Sequence, residues 1–569
     1  MYNNYFLNYE NESKEKLYEY MEFLEKEIEK KIDMNSPYLK GHFEKKAENF
    51  LEEKSLRESI ESSDKVLAEM ADYFSGTTRW HHPYVMNNIK TPVNLLSLAV
   101  VYNVMMYDPN LAGDTNCGKI AFAELEVIKY LSDLIGWDWK KSGGYFTFGG
   151  TSTLLNAVKI GINKAIDNVC TNGIKEDVFI VSSEQGHSAH GDVCNWLGIG
   201  KNNCLRMPVD ENYQMDISKM EKIISQKIEK GMKWAGVIAC GGTTIQTIVD
   251  SIHDIYLMRE RVVAKYQLSY KPHIHVDSVV GWVWLFYKSY LFAENKLGLS
   301  DIALSKIECM CKLISDVKFA DSIGIDFHKT GFCPYASSLI LTRDGAEIYK
   351  LNDKKPIAIE KLQYGEYSPS SYTLELSRSS TGPLSALTSL KLFGIEGYQK
   401  MLGDIIEGVC ALVTYLSQEE CFEVINKNTN GTCVLFIIKK NISSISYCNF
   451  YEATEEKITD IALYNYRFYL YILNKIKTKD INFFVDYSSG YEKIKHGFHM
   501  GILKMQTFNP MLTKERARVL VDKIQELKQE FDTCWRNFKE DPVYAPKKFK
   551  LKYQNNDYEL HGGKVCLKK

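Results

Sequence analysis

Reactive side chains follow three short runs that are rich in valine and isoleucine. His187 follows the run VFIVSS, Thr244 follows AGVIAC, and Asp277 ends the run HIHVD. An imidazole can act as a base or stack on a flat ring, and a hydroxyl can hydrogen-bond a ligand. A carboxylate on a buried strand requires a cationic partner. Each residue also has an ordinary structural explanation, such as a turn or a helix cap, so none is decisive alone.

A glycine-rich segment supplies a candidate anion site. Gly149 and Gly150 are followed by Thr151, Ser152 and Thr153, and then by a stretch with helical periodicity. Free N–H groups and the helix dipole favour an anion such as phosphate, and hydroxyls add donors. No Lys-Ser/Thr pair follows the glycines, so the segment is not a P-loop. A glycine turn that merely begins a core helix is the competing explanation.

A lysine in the segment Asp326-Phe-His328-Lys329 could bond covalently to a carbonyl compound. A lysine that loses its proton forms a Schiff base, whereas an ordinary surface lysine is the alternative for any single position. Taken together, the phosphate cup, the ring-stacking histidine, the threonine, the strand-end aspartate and the lysine are the parts needed to hold pyridoxal phosphate.

The apolar runs predict an α/β fold with a mostly parallel central sheet. They span residues 178–183, 235–240, 273–278 and 338–342 and alternate with helix-like stretches, which is the pattern of βαβ units. In such sheets functional residues collect at the carboxyl ends of strands. The candidate residues named above lie at these positions.

Changes in the pattern of charged, helix-like and strand-like segments predict three parts of the chain. We expect an N-terminal helical segment over residues 1–80, a large cofactor-binding domain over 81–395 and a small C-terminal α+β domain over 396–569. Within the last part we predict two strands and a helix, at residues 433–440, 481–487 and 513–531.

The N-terminal segment contains one apolar helix face. Leu17, Met21, Leu24 and Ile28 have helical spacing, with Glu and Lys between them. The face belongs either to a solvated helix or to an arm that packs on a second subunit.

Composition excludes several classes of protein. Lys+Arg is 70 and Asp+Glu is 72 of 569 residues, so the basic excess of a nucleic-acid binder is missing. The 14 cysteines contain no CxxC pair, which fits reduced thiols and predicts no metal site. We see no signal peptide and no apolar run of the ~20 residues that a bilayer span needs. We therefore expect a cytoplasmic protein without a membrane partner.

The motifs resemble those of the pyridoxal-phosphate-dependent group II amino-acid decarboxylases, which include glutamate, aromatic amino-acid and tyrosine decarboxylases. The family's HVDAA occurs here as HVDSV around Asp277, its HK as His328-Lys329, and its GTT…D as Gly242-Thr243-Thr244 followed by Asp250. The resemblance covers residues 75–400. It implies fold type I, the aspartate aminotransferase-like α/β fold, and a homodimer.

The resemblance also implies roles for individual residues. Lys329 would carry the cofactor as an internal aldimine, Asp277 would pair with the pyridine nitrogen, and His187 would stack on the ring. Ser152-Thr153-Leu154 replaces the family's Glu-Ala-Asn, and a serine replaces the alanine after the Val-Asp pair. The implied cofactor-binding set is Gly149, Gly150, Thr151, Ser152, Thr153, His187, Thr244, Asp277, Ser278, Asp326, His328 and Lys329.

By the same resemblance, the chain would convert an L-amino acid to its amine and CO2 through an external aldimine and a quinonoid. Members of the family use a loop tyrosine to protonate Cα. Residues 350–378 form the matching loop, and Tyr367 and Tyr364 rank before Tyr372 because YGEYSPS looks like an exposed, flexible turn.

The residues that would contact the substrate side chain give conflicting hints. His82 and Asn88 lie where the family recognises side chains. Lys504 replaces an arginine with which glutamate-type members bind a carboxylate, and lysine lacks the bidentate fork. The segment around Lys329 instead resembles bacterial tyrosine decarboxylases. Acidic and aromatic substrates both stay open.

Two alternatives accompany this interpretation. One is another reaction on the same fold, either a carbon–carbon lyase or an oxidative deaminase that forms an aldehyde; the tyrosine-rich loop favours plain decarboxylation. The other is a non-catalytic interaction protein, and the intact Lys329, Asp277 and His187 argue against it.

Overall fold

A computed structural model describes most of the chain. The described residues are 6–7, 12–34, 36–41, 47–52, 55–357, 359–440, 446, 453–478, 481–494, 498–536, 538, 551–553, 556–561 and 564–567.

The helices and strands alternate over the middle of the chain. The helices are α1 Glu12–Glu29, α2 Ala47–Glu52, α3 Ser63–Asp72, α4 Leu95–Tyr107, α5 Asp114–Cys117, α6 Ala121–Ile135, α7 Gly150–Ala165, α8 Val169–Asn172, α9 Ala189–Trp196, α10 Ile217–Glu229, α11 Ile252–Tyr266, α12 Asp301–Ser315, α13 Phe327–Thr330, α14 Ala346–Tyr349, α15 Thr381–Gln418, α16 Glu455–Thr478 and α17 Lys514–Cys534. The strands are β1 Gly143–Thr147, β2 Val178–Ser183, β3 Cys204–Met207, β4 Lys233–Cys240, β5 His273–Asp277, β6 Ser322–Asp326, β7 Ser338–Thr342, β8 Phe422–Val424, β9 Cys433–Ile438, β10 Asp486–Ile494, β11 Phe498–Gln506, β12 Leu551–Tyr553, β13 Asn556–His561 and β14 Lys564–Leu567.

The large sheet has seven strands in the order β1-β7-β6-β5-β4-β2-β3. Strands β3, β2, β4, β5 and β6 pair in parallel, which confirms the mostly parallel α/β sheet. Strand β7 was expected to join this parallel set, and that expectation is wrong, because β7 runs antiparallel to β6 and β1. Only residues 327–337 connect β6 to β7, and their single helical turn is too short for a crossover between parallel strands.

Helix α7 packs closely across the sheet. A Cβ atom at Gly161 would lie 2.6 Å from the carbonyl oxygen of Ala235 in β4, so only glycine fits at this crossing. The strands beneath the helix are buried along their whole length, from His273 to Asp277 in β5 and from Ser322 to Asp326 in β6. This packing fixes the start of α7 over the carboxyl ends of the central strands.

The C-terminal part contains a four-stranded antiparallel sheet in the order β10-β11-β9-β8. The predicted strand at 433–440 is confirmed as β9, and the predicted helix is confirmed as α17, which the Thr513 hydroxyl caps. The strand predicted at 481–487 is mostly wrong, because β10 begins at Asp486 and Phe484 forms only an isolated bridge with Val85. The predicted domain boundary near residue 395 stays a prediction; α15 is interrupted beside it at Gly394, whose φ is 55°.

The N-terminal part is helical where it is described. Helix α1 carries the predicted apolar face, and its Tyr18 ring lies 6.3 Å from the Tyr102 ring of α4. Helix α4 contains no charged residue, and much of its apolar surface is exposed. None of the described helices combines the length and hydrophobicity that crossing a membrane would require.

Candidate active site

The start of α7 lies directly against the end of β6. Gly149 is the N-cap, and a Cβ atom at Gly150 would lie 2.9 Å from Asp326 Oδ2 and 3.1 Å from Val279 Cγ1. Glycine at this position therefore lets the helix start approach the carboxylate. The exposed Thr151 faces the cavity described below, together with the open end of the helix. Backbone N–H groups at a helix start attract anions.

Two of the three hydroxyl residues of the predicted phosphate cup point into the protein. Ser152 Oγ hydrogen-bonds Thr147 Oγ1, and Thr153 Oγ1 donates to the Gly150 carbonyl at 2.7 Å. Both residues are fully buried. Neither lines the cavity, so Thr151 is the cup hydroxyl that the structure brings to it.

Asp277 ends β5 and has only one of its two carboxylate oxygens paired. Oδ2 accepts a hydrogen bond from His190 Nε2 at 2.9 Å, and the other ring nitrogen of His190 lies 2.5 Å from Ser182 Oγ. Oδ1 is buried and has no hydrogen-bond partner among the described residues. Burial raises the pKa of Asp277, but His190 and the charge of Lys329 outweigh it, so the pKa lies well below its usual value. The carboxylate is therefore ionised and can accept one more donor.

His187 stands at the cavity wall, two residues before α9. Its Nδ1 accepts the Ala189 N–H at 3.1 Å, and its carbonyl accepts from Arg206 at 2.9 Å. These contacts fix the ring and leave the proton on Nε2. Desolvation lowers the pKa of His187, so the ring is neutral at physiological pH and suited to stacking on a flat ligand.

Lys329 lies on the single turn of α13 that follows β6. Its Nζ atom is 3.0 Å from Asp326 Oδ2, and Ser338 of β7 donates to Asp326 Oδ1 at 2.6 Å. Burial lowers the pKa of Lys329, but Asp326 and Asp277 outweigh it and the pKa is raised. The His328 ring packs against the Tyr335 ring with centroids 4.2 Å apart. The amine is thus held in place by a carboxylate at the floor of the site.

These side chains enclose a cavity of about 140 Å³. Thr244 lies on its wall, whereas the Ser278 hydroxyl is committed to the Gly241 carbonyl at 2.9 Å and does not line it. Asp250, which completes the predicted motif, accepts the N–H of Cys240 at 2.7 Å and so shapes the end of β4. The lining residues are Gly150, Thr151, Leu154, His187, Ala189, Cys240, Gly242, Thr243, Thr244, Asp277, Val279, Asp326, His328 and Lys329.

The cavity fits pyridoxal phosphate in chemical type. A helix start suits the phosphate, and a histidine suits the ring face. The unpaired Asp277 Oδ1 suits a protonated ring nitrogen, and a lysine amine suits the aldehyde carbon. These four groups lie at or just after the ends of four different strands and line the same cavity.

Comparison with known proteins agrees with this chemistry. Residues 45–295 match the model of the pyridoxal-dependent decarboxylase conserved domain. This match and the relatives described below support a group II pyridoxal-phosphate-dependent decarboxylase. The matched domain and the relatives support pyridoxal phosphate as the cofactor and carboxy-lyase as the enzyme class.

Individual relatives extend the match beyond that domain. The chain is 25% identical over 401 residues to a probable L-tyrosine/L-aspartate decarboxylase of Methanosphaera stadtmanae, covering 69% of this chain and 87% of the relative. It is 28% identical over 234 residues to the L-tyrosine decarboxylase of Enterococcus faecalis, covering 37% of this chain and 36% of the relative.

Solved structures show the same fold. Apo mouse CSAD superimposes with a TM-score of 0.73 at 15% identity, over 90% of this chain and 99% of the mouse chain. Oryza sativa TDC with PLP and tryptamine gives a TM-score of 0.71 at 15% identity, over 92% and 99%.

His190 is a site residue that the sequence analysis of this decarboxylase missed. It lies on the first turn of α9, is fully buried and holds Asp277. Its spacing of three from His187 was visible in the sequence. The aspartate partner was not visible, because 87 residues separate the two in sequence.

The loop tyrosines of the decarboxylase differ from one another. Tyr364 is 66% exposed, as expected, but the expected exposure of Tyr367 is wrong, since it is only 3% exposed. The Tyr367 hydroxyl donates to Glu124 at 2.7 Å, and Arg378 binds the same carboxylate through two nitrogens at 2.7 and 3.0 Å. Burial and Glu124 raise the pKa of Tyr367 well above its usual value. Tyr367 thus anchors the loop to helix α6.

The three predicted substrate residues do not line the cavity within the described chain. Lys504 on β11 pairs with Asp486 on β10, at 3.1 Å. Asn88 has a φ of 62° and accepts the Ile89 N–H at 2.8 Å, while the His82 ring packs on Tyr84. Their roles in the decarboxylase stay predictions.

We predict that Asp277→Asn preserves the fold and weakens binding of pyridoxal phosphate. A neutral amide cannot hold a proton on the ring nitrogen, and a hydrogen bond to a charged group contributes about 1.5–3 kcal/mol, or roughly 10- to 100-fold in affinity. An absorbance titration with the cofactor measures this. Asp254→Asn on exposed α11 is the control, and equal affinities for all three proteins would contradict the prediction.

Proposed function

We propose that this chain decarboxylates an L-amino acid to the corresponding amine, with Lys329 as the residue that holds the cofactor. The observation that carries the proposal is that the Lys329 amine, 3.0 Å from Asp326 Oδ2, lines the same cavity as Asp277, one oxygen of which is unpaired among the described residues. Pyridoxal phosphate supplies an electron sink for the bond to the departing carboxylate when it is bound.

The protein side chains divide the remaining tasks. Asp277 holds a proton on the ring nitrogen, and His190 keeps the Asp277 carboxylate ionised and oriented. The start of α7 and Thr151 bind the phosphate, and His187 covers one ring face. Asp326 holds the Lys329 amine, which would bond to the cofactor and which the substrate amine would displace from it.

After CO2 has left, a side-chain acid must deliver a proton to the substrate Cα to complete the amine. Tyr364 is exposed on the loop and is our first candidate, because the Tyr367 hydroxyl already donates to Glu124. A lid that carries the acid excludes water when it closes and delivers the proton after CO2 has left.

Lys329→Ala tests the proposed function directly. We expect the variant to lose amine formation and the visible absorbance of lysine-bound cofactor, because no other lysine lines the cavity in the described chain. CO2 release and absorbance spectra across the common L-amino acids are the measurements. The control is Lys312→Ala on the surface of α12, where the lysine pairs with Glu308. Normal turnover in Lys329→Ala would refute the assignment.

Tyr364→Phe and Tyr367→Phe separate proton donation from loop anchoring. We expect Tyr364→Phe to release CO2 but to form less amine. In air, dioxygen would oxidise the unprotonated species, and aldehyde, ammonia and hydrogen peroxide would make up the difference. Tyr367→Phe removes one hydrogen bond from buried Glu124, which costs about 1–3 kcal/mol, so its loop should be cut faster by protease while products stay unchanged. Product analysis and limited proteolysis measure both effects. Full amine yield from Tyr364→Phe would exclude it as the acid, and aldehyde from the unmodified enzyme would favour oxidative deamination.

We also propose that the chain forms a homodimer. The support is α4, whose Leu95, Leu96, Met105 and Tyr107 are 77%, 51%, 69% and 68% exposed. Exposed apolar surface that goes beyond scattered single side chains is a mark of protein–protein interaction sites.

Replacing two residues of this surface should yield monomers. We expect Leu95→Lys/Met105→Glu to weaken association at least 100-fold, because charge in an interface core is strongly disfavoured, whereas Leu56→Lys alters an isolated exposed leucine and leaves association unchanged. Light scattering over a concentration series reports the mass. A monomeric unmodified protein, or a dimer that tolerates the double substitution, would contradict the proposal.

A further inference from the structure

Gln506 connects three elements beside the cavity. It ends β11 opposite Cys433 of β9 and is 2% exposed. Its backbone N–H donates to the Met86 carbonyl at 2.8 Å, and its side-chain Nε2 donates to the Thr244 carbonyl at 2.8 Å. Thr244 lines the cavity, and Met86 belongs to the segment that follows His82-Pro83. Gln506 therefore contacts both a residue of the cavity wall and the predicted substrate segment, although it does not itself line the cavity.

The contact with Thr244 decides which way the Gln506 amide points. A carbonyl oxygen only accepts hydrogen bonds, so the nitrogen of the amide must face Thr244. Oε1 faces away from Thr244 and is buried without a hydrogen-bond partner among the described residues. Buried acceptors are nearly always paired in folded proteins, so an unpaired one requires an explanation. Asn87 Oδ1, beside Met86, is a second buried oxygen without a partner in the described chain.

We propose that Gln506 Oε1 determines specificity by accepting a hydrogen bond from a donor on the substrate side chain. The donor would be a phenolic hydroxyl, an indole N–H or an ammonium group. The inference rests on the proposed function, because it assigns the substrate class of that same site. A donor on the bound substrate would give Gln506 Oε1 the hydrogen bond that the described residues do not supply.

The neighbouring charges favour such a donor over a carboxylate. Lys504 lies two residues before Gln506 on β11 and so projects from the same face of the sheet. Asp486 lies opposite Lys504 and pairs with it at 3.1 Å, with both side chains largely buried. The lysine charge is therefore already matched, and a substrate carboxylate would meet an acceptor oxygen at Gln506. Acidic amino acids are disfavoured on both counts.

Substrate pairs that differ in a single donor test the proposal. We compare tyrosine with phenylalanine, and 2,4-diaminobutyrate with norvaline, by kcat/KM for CO2 release. We expect the unmodified enzyme to prefer the donor-bearing member of at least one pair by about 100-fold or more. Gln506→Met, which keeps the size but not the acceptor, should reduce that preference to below about tenfold. The loss of the bond to Thr244 affects both members of a pair, so the donor-bearing member should lose more rate than the member without a donor.

A second variant and a control distinguish the loss of the acceptor from a general loss of structure. Gln506→Glu keeps an acceptor and adds charge, so it should shift preference toward the ammonium group of 2,4-diaminobutyrate. Gln525→Met makes the same chemical change on α17, where the glutamine bonds Glu419, and should leave every ratio unchanged.

Binding without turnover separates this inference from the proposed function. Tyramine and phenethylamine are titrated into the cofactor-loaded enzyme, and affinity is read from the cofactor absorbance. A tyramine preference that Gln506→Met removes supports the inference even if no amino acid releases CO2, which by itself would refute only the proposed function. Ratios that are the same in the unmodified enzyme and in Gln506→Met overturn the inference, and so does a preference for glutamate or aspartate.

Discussion

The structure around the cavity depends on a carboxylate that is buried with half of its hydrogen-bonding capacity unused. A lone ionised group in a protein interior is strongly disfavoured, so Asp277 requires His190 on one side and the positive charge of Lys329 on the other. Both partners come from other strand ends, which means that β2, β5 and β6 must stay in register. The parallel pairing of β5 with β4 and β6 supplies that register.

Two further buried carboxylates each hold one segment of the chain against another. Asp326 holds Lys329 against the start of α7, and Glu124 holds Tyr367 and Arg378 of the loop against α6. Each carboxylate is matched by several donors, and this limits the cost of its burial. The segments that must act on a ligand are thus tethered by short charged contacts, while apolar packing fixes the strands below them.

The parts of the fold that follow from local sequence were predictable, and the parts that depend on distant partners were not. Valine-rich and isoleucine-rich runs located β2, β4, β5 and β7, because buried strands need such side chains on both faces. The direction of β7 depends on the length of a connection rather than on its composition.

The same distinction holds within the site. Strand-end positions identified His187, Asp277 and Lys329 as neighbours across the sheet. The burial of Tyr367 depends on Glu124, which is 243 residues away in sequence, and the inward turn of Ser152 depends on Thr147 at the end of the preceding strand. A pattern read along the chain contains no information about such partners.

The reversed direction of β7 has a mechanical consequence for Lys329. The chain leaves the sheet at Asp326 and returns beside it at Ser338, and two hydrogen bonds close the neck of this excursion: Ser338 Oγ to Asp326 Oδ1 at 2.6 Å and the Phe327 N–H to the Ser337 carbonyl at 2.8 Å. Lys329 therefore lies on a short loop whose two ends are fixed to adjacent strands. Tyr335, near the far end of this loop, packs on His328, which lines the cavity. Changes there can therefore alter the cavity wall while the attachment of Lys329 to the sheet stays unchanged.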